Sequence, residues 1–137
     1  MQYPFENAHW IGCPDCPADT APVFRAEFDC PADADVVLYL SGVGFEAVSL
    51  NGRELDDELL SPAFSRYDKT VYYRELSLKP YVREGGNRLE ITLGNGWYNQ
   101  QQEDAWQFEH AVWKDSPRLV CAVYCAGKCL LASGSDW

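Results

Sequence analysis

The chain has 137 residues, of which 47% are hydrophobic and 14% aromatic, so it can bury the core of one ordinary domain. Its 11 basic and 21 acidic side chains give a formal net charge of −10. Nucleic acids and anionic membrane surfaces attract positive charge, so this balance argues against both as partners. It suits a protein that binds neutral molecules or other proteins.

Residues 1–22 are rich in proline, aspartate and cysteine, and we predict an irregular lead-in there. The first residues lack the basic and apolar regions of a signal peptide, and no apolar run is long enough to span a bilayer. We therefore expect a cytoplasmic protein. Because disulfides are rare in a reducing compartment, its six cysteines are expected to be free thiols.

From Val23 onwards the hydrophobic residues recur with a period of two, which is typical of half-buried strands. Asn51-Gly52 tolerates the positive φ angles of a tight hairpin turn. A second hairpin is predicted to turn at residues 126–128. The predicted strands lie in the segments VFRAEF, ADVVLYLSG, FEAVSLNG, TVYYRELSL, RLEITLG and RLVCAVYCAGKCLLAS.

No segment keeps the 3.6-residue period of a helix, and seven or so short strands predict an all-β, antiparallel jelly-roll β-sandwich. We find no internal repeat and no linker, so residues 23–137 are predicted to form a single domain. The final SGSDW follows directly on a strand, which favours a chain cut from something longer.

The cysteines offer a possible metal site. Cys13 and Cys16 have the spacing of a zinc-binding pair, but zinc needs four ligands and a second C-x-x-C is missing. Cys121 and Cys125 share a strand face with Val123, as core cysteines do. We expect no metal ligands here, and a small cysteine-based zinc-binding protein remains an alternative.

Catalytic candidates are few. Neither His9 nor His110 lies in a nucleophile motif. Glu103, Asp104 and Glu109 could supply the carboxylate pair of a glycosidase, but we favour solvated acidic loops as the explanation, because an acidic chain brings such residues together by chance. We predict no catalytic residue in this chain.

The segment from Leu93 to Trp113, LGNGWYNQQQEDAWQFEHAVW, combines aromatic rings with amides and carboxylates. Sugars stack their C–H faces on such rings and pair their hydroxyls with such polar groups. The alternative, which we favour slightly, is that the rings contact another domain. The candidate carbohydrate-binding residues are Asn95, Trp97, Tyr98, Asn99, Gln101, Asp104 and Trp106.

Several motifs resemble the N-terminal domain of bacterial α-L-rhamnosidases. They are the turn Asn51-Gly52 with its preceding strand, the segment LLSPAFSRYDK, the strand start GGNRL and, most specifically, LGNGWY from Leu93 to Tyr98. The opening AHWIG and the closing SGSDW are similar to that family as well.

The resemblance implies a galactose-binding-domain-like jelly roll that accompanies a catalytic (α/α) barrel in the same polypeptide. The chain would then be a non-catalytic accessory domain of a glycoside hydrolase, supporting the barrel and binding rhamnose-containing carbohydrate in some relatives, where calcium takes part. We expect no cofactor, with calcium as the one option. The alternative family is the sugar-binding N-terminal domain of a β-galactosidase or β-glucuronidase.

Overall fold

The computed structural model describes residues 3–55, 62–103 and 105–137. Within these residues the chain forms nine strands and one 3-10 turn. They are β1 (Ile11–Gly12), β2 (Val23–Cys30), β3 (Val36–Val43), β4 (Phe45–Leu50), β5 (Arg53–Glu54), β6 (Arg74–Ser77), β7 (Gly85–Gly94), the 3-10 turn (Phe108–His110), β8 (Arg118–Cys125) and β9 (Lys128–Ala132). None of the described segments is a helix long and apolar enough to cross a membrane.

The strands form two antiparallel sheets. The first sheet has the order β1-β8-β3-β6, and β9 also pairs with β8. The second sheet has the order β2-β7-β4-β5. The predicted all-β antiparallel sandwich is thereby confirmed, while the jelly-roll topology stays a prediction.

The core lies between the two sheets and follows the alternation in the sequence. Leu89 and Ile91 of β7 are fully buried, and so are Leu38 and Leu40 of β3 on the opposite sheet. Burying one such side chain stabilises the fold by about 1.5–3 kcal/mol. Cys121 of β8 is buried in the same core, as its place on an apolar strand face indicated.

The lead-in contributes to the sandwich more than its composition indicated. Ile11 of β1 pairs with Leu119 of β8 and so extends the first sheet. Phe5 is buried on the outer face of that sheet against Val120 and Ala122. The chain before Val23 is therefore irregular for most of its length but packs on the sheet at these points.

The two asparagines of the recognised motifs form one hydrogen-bond network. Asn51 has φ 53° and Gly52 has φ 82°, which confirms the tight turn after β4. Asn51 Nδ2 donates to Asn87 Oδ1 at 2.9 Å, and the backbone N–H of Arg88 donates to Asn51 Oδ1 at 2.9 Å. Asn87 is buried and also accepts a hydrogen bond from the backbone N–H of Arg83 at 2.9 Å. These side chains therefore fix the β4–β5 turn to the start of β7.

The expectation of six free thiols is wrong for one pair, because Cys13 and Cys16 form a disulfide. The backbone N–H of Cys16 donates to the carbonyl of Cys13 at 3.1 Å, and this turn brings the two Cα atoms to 5.5 Å. That separation is the usual one for a disulfide, so local geometry outweighed the argument from compartment. The other cysteines are free: Cys30, Cys121, Cys125 and Cys129.

Candidate functional site

A continuous group of aromatic rings lies at the end of the sandwich where β7 gives way to the following loop. We call it the aromatic cluster, and each ring in it contacts at least one other at a centroid distance of 5.2–6.3 Å. Its members are Phe45, Phe64, Tyr67, Trp97, Tyr98, Phe108 and Trp113.

The aromatic cluster joins three segments that are distant in sequence. Phe64, from the loop before β6, stacks on Phe108 with centroids 5.2 Å apart and planes at 27°. Trp97 contacts Phe45 of β4 edge-on at 6.3 Å and Phe108 at 5.9 Å. Tyr67 is buried, and burial raises the pKa of its phenol. The loop after β7 is therefore packed against the sandwich by its own rings.

Glycines allow the chain to leave β7 sharply at this point. Gly96 has φ 54°, and a Cβ there would lie 3.1 Å from the carbonyl carbon of Gly44. Gly44 has φ 121°, and a Cβ on it would overlap the carbonyl oxygen of Gly94. Two backbones approach each other here more closely than side chains permit, which explains why the LGNGWY motif needs glycine.

The predicted sugar-site residues separate into distinct places. Asn95, Asn99 and Gln101 line a cleft of about 350 Å³ between the loop and the lead-in. Asn95 Nδ2 donates to the carbonyl of Ala18 at 2.6 Å, and Asn99 Nδ2 donates to Asn95 Oδ1 at 3.0 Å. The amides thus hold the loop to the lead-in, and the described residues that line this cleft include no aromatic ring.

The predicted aromatic residues lie elsewhere. Trp97 and Tyr98 are half-buried in the aromatic cluster and contact other rings. Trp106 is 75% exposed. Asp104 lies outside the described residues. Among the residues that the structure describes, these rings and the amides therefore do not line the same cleft.

Two polar atoms near the aromatic cluster are buried. The Glu109 side chain is 12% exposed, and its Oε2 atom is buried without a hydrogen bond to any described residue. Trp113 Nε1 is also buried without a hydrogen-bond partner in the described part of the chain. Glu109 Oε1 lies 3.7 Å from Nε2 of the exposed His110. Most buried polar groups in proteins are paired, so these two atoms are exceptions that need an explanation.

A charged pair inside the sandwich was not found from the sequence. Glu46 of β4 faces inward, as do Val48 and Leu50, and Arg74 Nε of β6 lies 2.7 Å from its Oε1. The pair joins the two sheets. Burial, with the Glu46 charge as the second cause, raises the pKa of Cys121 to about 12. A glutamate at an inward position of a strand is the signal that could have revealed it.

No metal centre is apparent in the described ranges 3–55, 62–103 and 105–137. No group of three or more His, Cys, Asp or Glu side chains in these ranges could hold a metal ion. Glu103 is exposed and Glu109 lies beside the aromatic cluster, and neither lines the cleft at Asn95. A disulfide sulfur is not a thiolate, so Cys13 and Cys16 as joined are not a zinc-binding pair.

The sequence did not identify the rings of Phe45, Phe64, Tyr67 and Phe108 as parts of the site. The signal available was their position, since Phe64 and Tyr67 lie in the loop segment SPAFSRYDK and Phe108 in the aromatic loop. A pattern of local periodicity does not say which loops meet.

The fold and site define a β-sandwich module that carries an aromatic surface on the loops at one end. Residues 32–137 match the family described as the α-L-rhamnosidase N-terminal domain, and the chain belongs to this family. The family expected from the motifs is therefore confirmed.

The relatives are much longer than this chain. It is 34% identical over 98 residues to an α-L-rhamnosidase of Formosa agariphila, an alignment that covers 71% of this chain and 9% of the relative. The α-L-rhamnosidase of Streptomyces avermitilis solved with L-rhamnose has 28% identity and a TM-score of 0.71, with 84% of this chain and 12% of that one covered.

A solved α-L-rhamnosidase of Aspergillus terreus is similar in fold, with a TM-score of 0.78 at 21% identity. That match covers 97% of this chain and 16% of the other. The chain thus spans about a tenth of the length of the curated relatives, at 9%, 13% and 12%.

Proposed function

We propose that this chain is a non-catalytic accessory domain of an α-L-rhamnosidase-like glycoside hydrolase, and that it docks on the catalytic (α/α) barrel of the same polypeptide through its aromatic end. The observation that carries the proposal is the exposure of apolar side chains beside the aromatic cluster. Trp106 is 75% exposed, Phe64 46% and Val112 83%.

Such a surface has the composition of an interface. The centres of protein interfaces are enriched in aromatic residues, and their charged residues are depleted. Phe64 contacts Phe108 and Trp113, so its partly exposed ring belongs to the aromatic cluster. Covering apolar surface contributes about 25 cal/mol for each Å² removed from water.

The hydrolytic carboxylates belong, in this proposal, to the barrel. Glycoside hydrolysis needs two carboxyl groups placed across the scissile bond. We expect the isolated chain to release no nitrophenol from a nitrophenyl α-L-rhamnoside, and the polypeptide that includes the barrel to release it. Steady hydrolysis by the isolated chain, lost in Glu103→Gln or Glu109→Gln, would overturn the accessory role.

Docking is tested by a pair of substitutions in that longer polypeptide. Phe64→Ser and Trp106→Ser remove exposed rings, and Val23→Ser removes an exposed apolar side chain on β2 as a control. If the aromatic end docks, the first two lower the unfolding temperature of the longer polypeptide more than that of the isolated chain. Equal shifts in both settings would contradict docking at this end.

A second candidate function is carbohydrate binding, which the amide-lined cleft favours. Asn95, Asn99 and Gln101 present hydrogen-bonding groups there, and Trp106 is exposed on the same loop. A rhamnose titration followed by tryptophan fluorescence on wild type, Asn99→Ala and Trp106→Ala tests it. Weak binding, with a Kd on the order of a millimolar, is the expected scale for one monosaccharide. A flat titration removes this candidate.

The proposal assigns no role to calcium. Ca²⁺ prefers six to eight oxygen ligands, and the described residues gather no cluster of carboxylates that could supply them.

The cytoplasmic location expected above stays a proposal. The Cys13–Cys16 disulfide favours an oxidising compartment instead. Counting the thiols of protein alkylated inside its native host cells distinguishes the two.

A further inference from the structure

The segment from Gln107 to Trp113 combines three unfavourable features. Gln107 precedes the 3-10 turn with φ 55° and ψ 36°, a left-handed conformation that disfavours residues with a Cβ. Glu109 Oε2 and Trp113 Nε1 are the two buried atoms described above, which have no hydrogen bond to any described residue. The three features lie within one short piece of the loop that carries the aromatic cluster.

Each feature lowers the stability of the isolated domain. A carboxylate oxygen that is removed from water without gaining a hydrogen bond has an uncompensated desolvation cost. The cost for an indole N–H is smaller. Strained backbone conformations and unpaired buried polar atoms occur most often at functional sites, where binding compensates for their cost. His110 does not relieve the Oε2 atom, because its Nε2 lies 3.7 Å from Oε1 and the ring is exposed.

We propose that Glu109 and Trp113 are the polar anchors of the docking surface, and that they receive an arginine side chain with a hydrogen-bond acceptor beside it from the partner. The inference rests on the proposed function and specifies the chemistry of the surface that docks. The guanidinium donates two parallel hydrogen bonds to the carboxylate of Glu109. The N–H of Trp113 donates a hydrogen bond to the partner's acceptor.

The surroundings of Glu109 favour arginine as the occupant. Its planar group stacks on aromatic faces, and Phe64, which stacks on Phe108 next to Glu109, is 46% exposed. The chain carries a net charge of −10, so a basic patch on the partner is attracted over a distance as well.

Docking on these anchors requires the segment to move, because both atoms are buried in the resting arrangement. The left-handed Gln107 makes that arrangement less stable than a relaxed loop would be, and so lowers the cost of leaving it. The loop is therefore held at a higher free energy in the free domain and relaxes when the partner binds.

The test compares Glu109→Gln with Glu103→Gln in the isolated chain and in the longer polypeptide. Both substitutions remove one negative charge from the same loop, but Glu103 is exposed. In the isolated chain we expect Glu109→Gln to raise the unfolding temperature by roughly 3 °C more than Glu103→Gln does. Glu109→Met, which removes the polar group altogether, should raise it at least as much.

In the longer polypeptide the sign should invert, with Glu109→Gln lowering the unfolding temperature and Glu103→Gln leaving it unchanged. Equal effects of the two substitutions in the isolated chain would overturn the proposal. So would stabilisation by Glu109→Gln in both settings. The Phe64→Ser and Trp106→Ser variants report on docking separately, so the anchors can fail while the accessory role stands.

Discussion

Phe64 and Phe108 stack with ring centroids 5.2 Å apart, so a residue of the loop before β6 holds the loop that follows β7. Phe108 is half-buried, and Phe108→Ala is expected to lower the free energy of unfolding by about 2 kcal/mol, below the ~3–5 kcal/mol typical of fully buried phenylalanines. Urea unfolding measures the loss. Val112→Ala, at an 83% exposed position of the same loop, is the control and should change stability by less than about 0.5 kcal/mol. Equal losses in both variants would show that the ring contact contributes nothing.

The ion pair of Glu46 and Arg74 joins the two sheets inside the sandwich. Arg74→Met removes one partner and leaves a carboxylate in the core, so it should cost about 3–5 kcal/mol in unfolding free energy. The double variant Glu46→Met/Arg74→Met leaves no buried charge and should be more stable than Arg74→Met alone. Chemical denaturation of the two single variants and the double variant gives the coupling energy. Simple additivity of the single effects would contradict the pairing.

Asn87 is expected to be a sensitive polar residue of the described core. Asn87→Ala removes the acceptor of the Arg83 backbone N–H and of the Asn51 amide, and these two part-buried hydrogen bonds together contribute about 1–3 kcal/mol. Asn99→Ala, in the loop, is the matched control, and a loss of no more than about 1 kcal/mol is expected there. Thermal unfolding of both variants is the measurement. A smaller loss at Asn87 than at Asn99 would contradict the network.

The thiols are expected to differ in reactivity. The thiolate is the reactive form, and burial raises the pKa of both Cys30 and Cys121, the latter to about 12. A thiol reagent near pH 8 should therefore modify the half-buried Cys125 and Cys129 first and the buried pair only after unfolding.

The total thiol count follows from the disulfide. Denatured protein should show four thiols without reductant and six after reduction. Six thiols without reductant would contradict the Cys13–Cys16 bond.

The raised pKa of Cys121 also predicts a pH dependence of stability. An unfolded thiol ionises above its ordinary pKa of 9.0, whereas the folded Cys121 stays neutral up to about 12. Between these values the unfolded state binds fewer protons than the folded state, so the free energy of unfolding falls as the pH rises. Cys121→Ala should reduce the slope of that fall, measured by denaturation at pH 8, 9 and 10. An unchanged slope would assign the alkaline loss to other groups.

The strands and their inward faces were predictable because the signal is local. Leu89 and Ile91 alternate with polar residues along a single strand, and Asn51-Gly52 marks its own turn. β6 is shorter than the predicted strand. Ser41 Oγ donates a hydrogen bond to the carbonyl of Tyr72 at 2.7 Å, and the pairing of β3 with β6 begins only at Arg74.

The site was less predictable because its contacts join distant segments. The stacking of Phe64 on Phe108 and the pairing of Glu46 with Arg74 depend on which strands become neighbours. The order of the strands in the sheets cannot be predicted from any one segment of the sequence. The type of residue in the loop was found from the sequence, but its division into an aromatic cluster and an amide-lined cleft follows only from the fold.

Amide hydrogen exchange tests the docking claim most directly, by comparing residues 94–113 in the isolated chain with the same residues in the polypeptide that includes the barrel. Docking at the aromatic end predicts slower exchange for this loop and for the segment around Phe64 in the longer polypeptide, with little change elsewhere. It is contradicted if the loop exchanges equally in both while protection appears on the outer face of the first sheet, around the exposed Tyr3 and Tyr73.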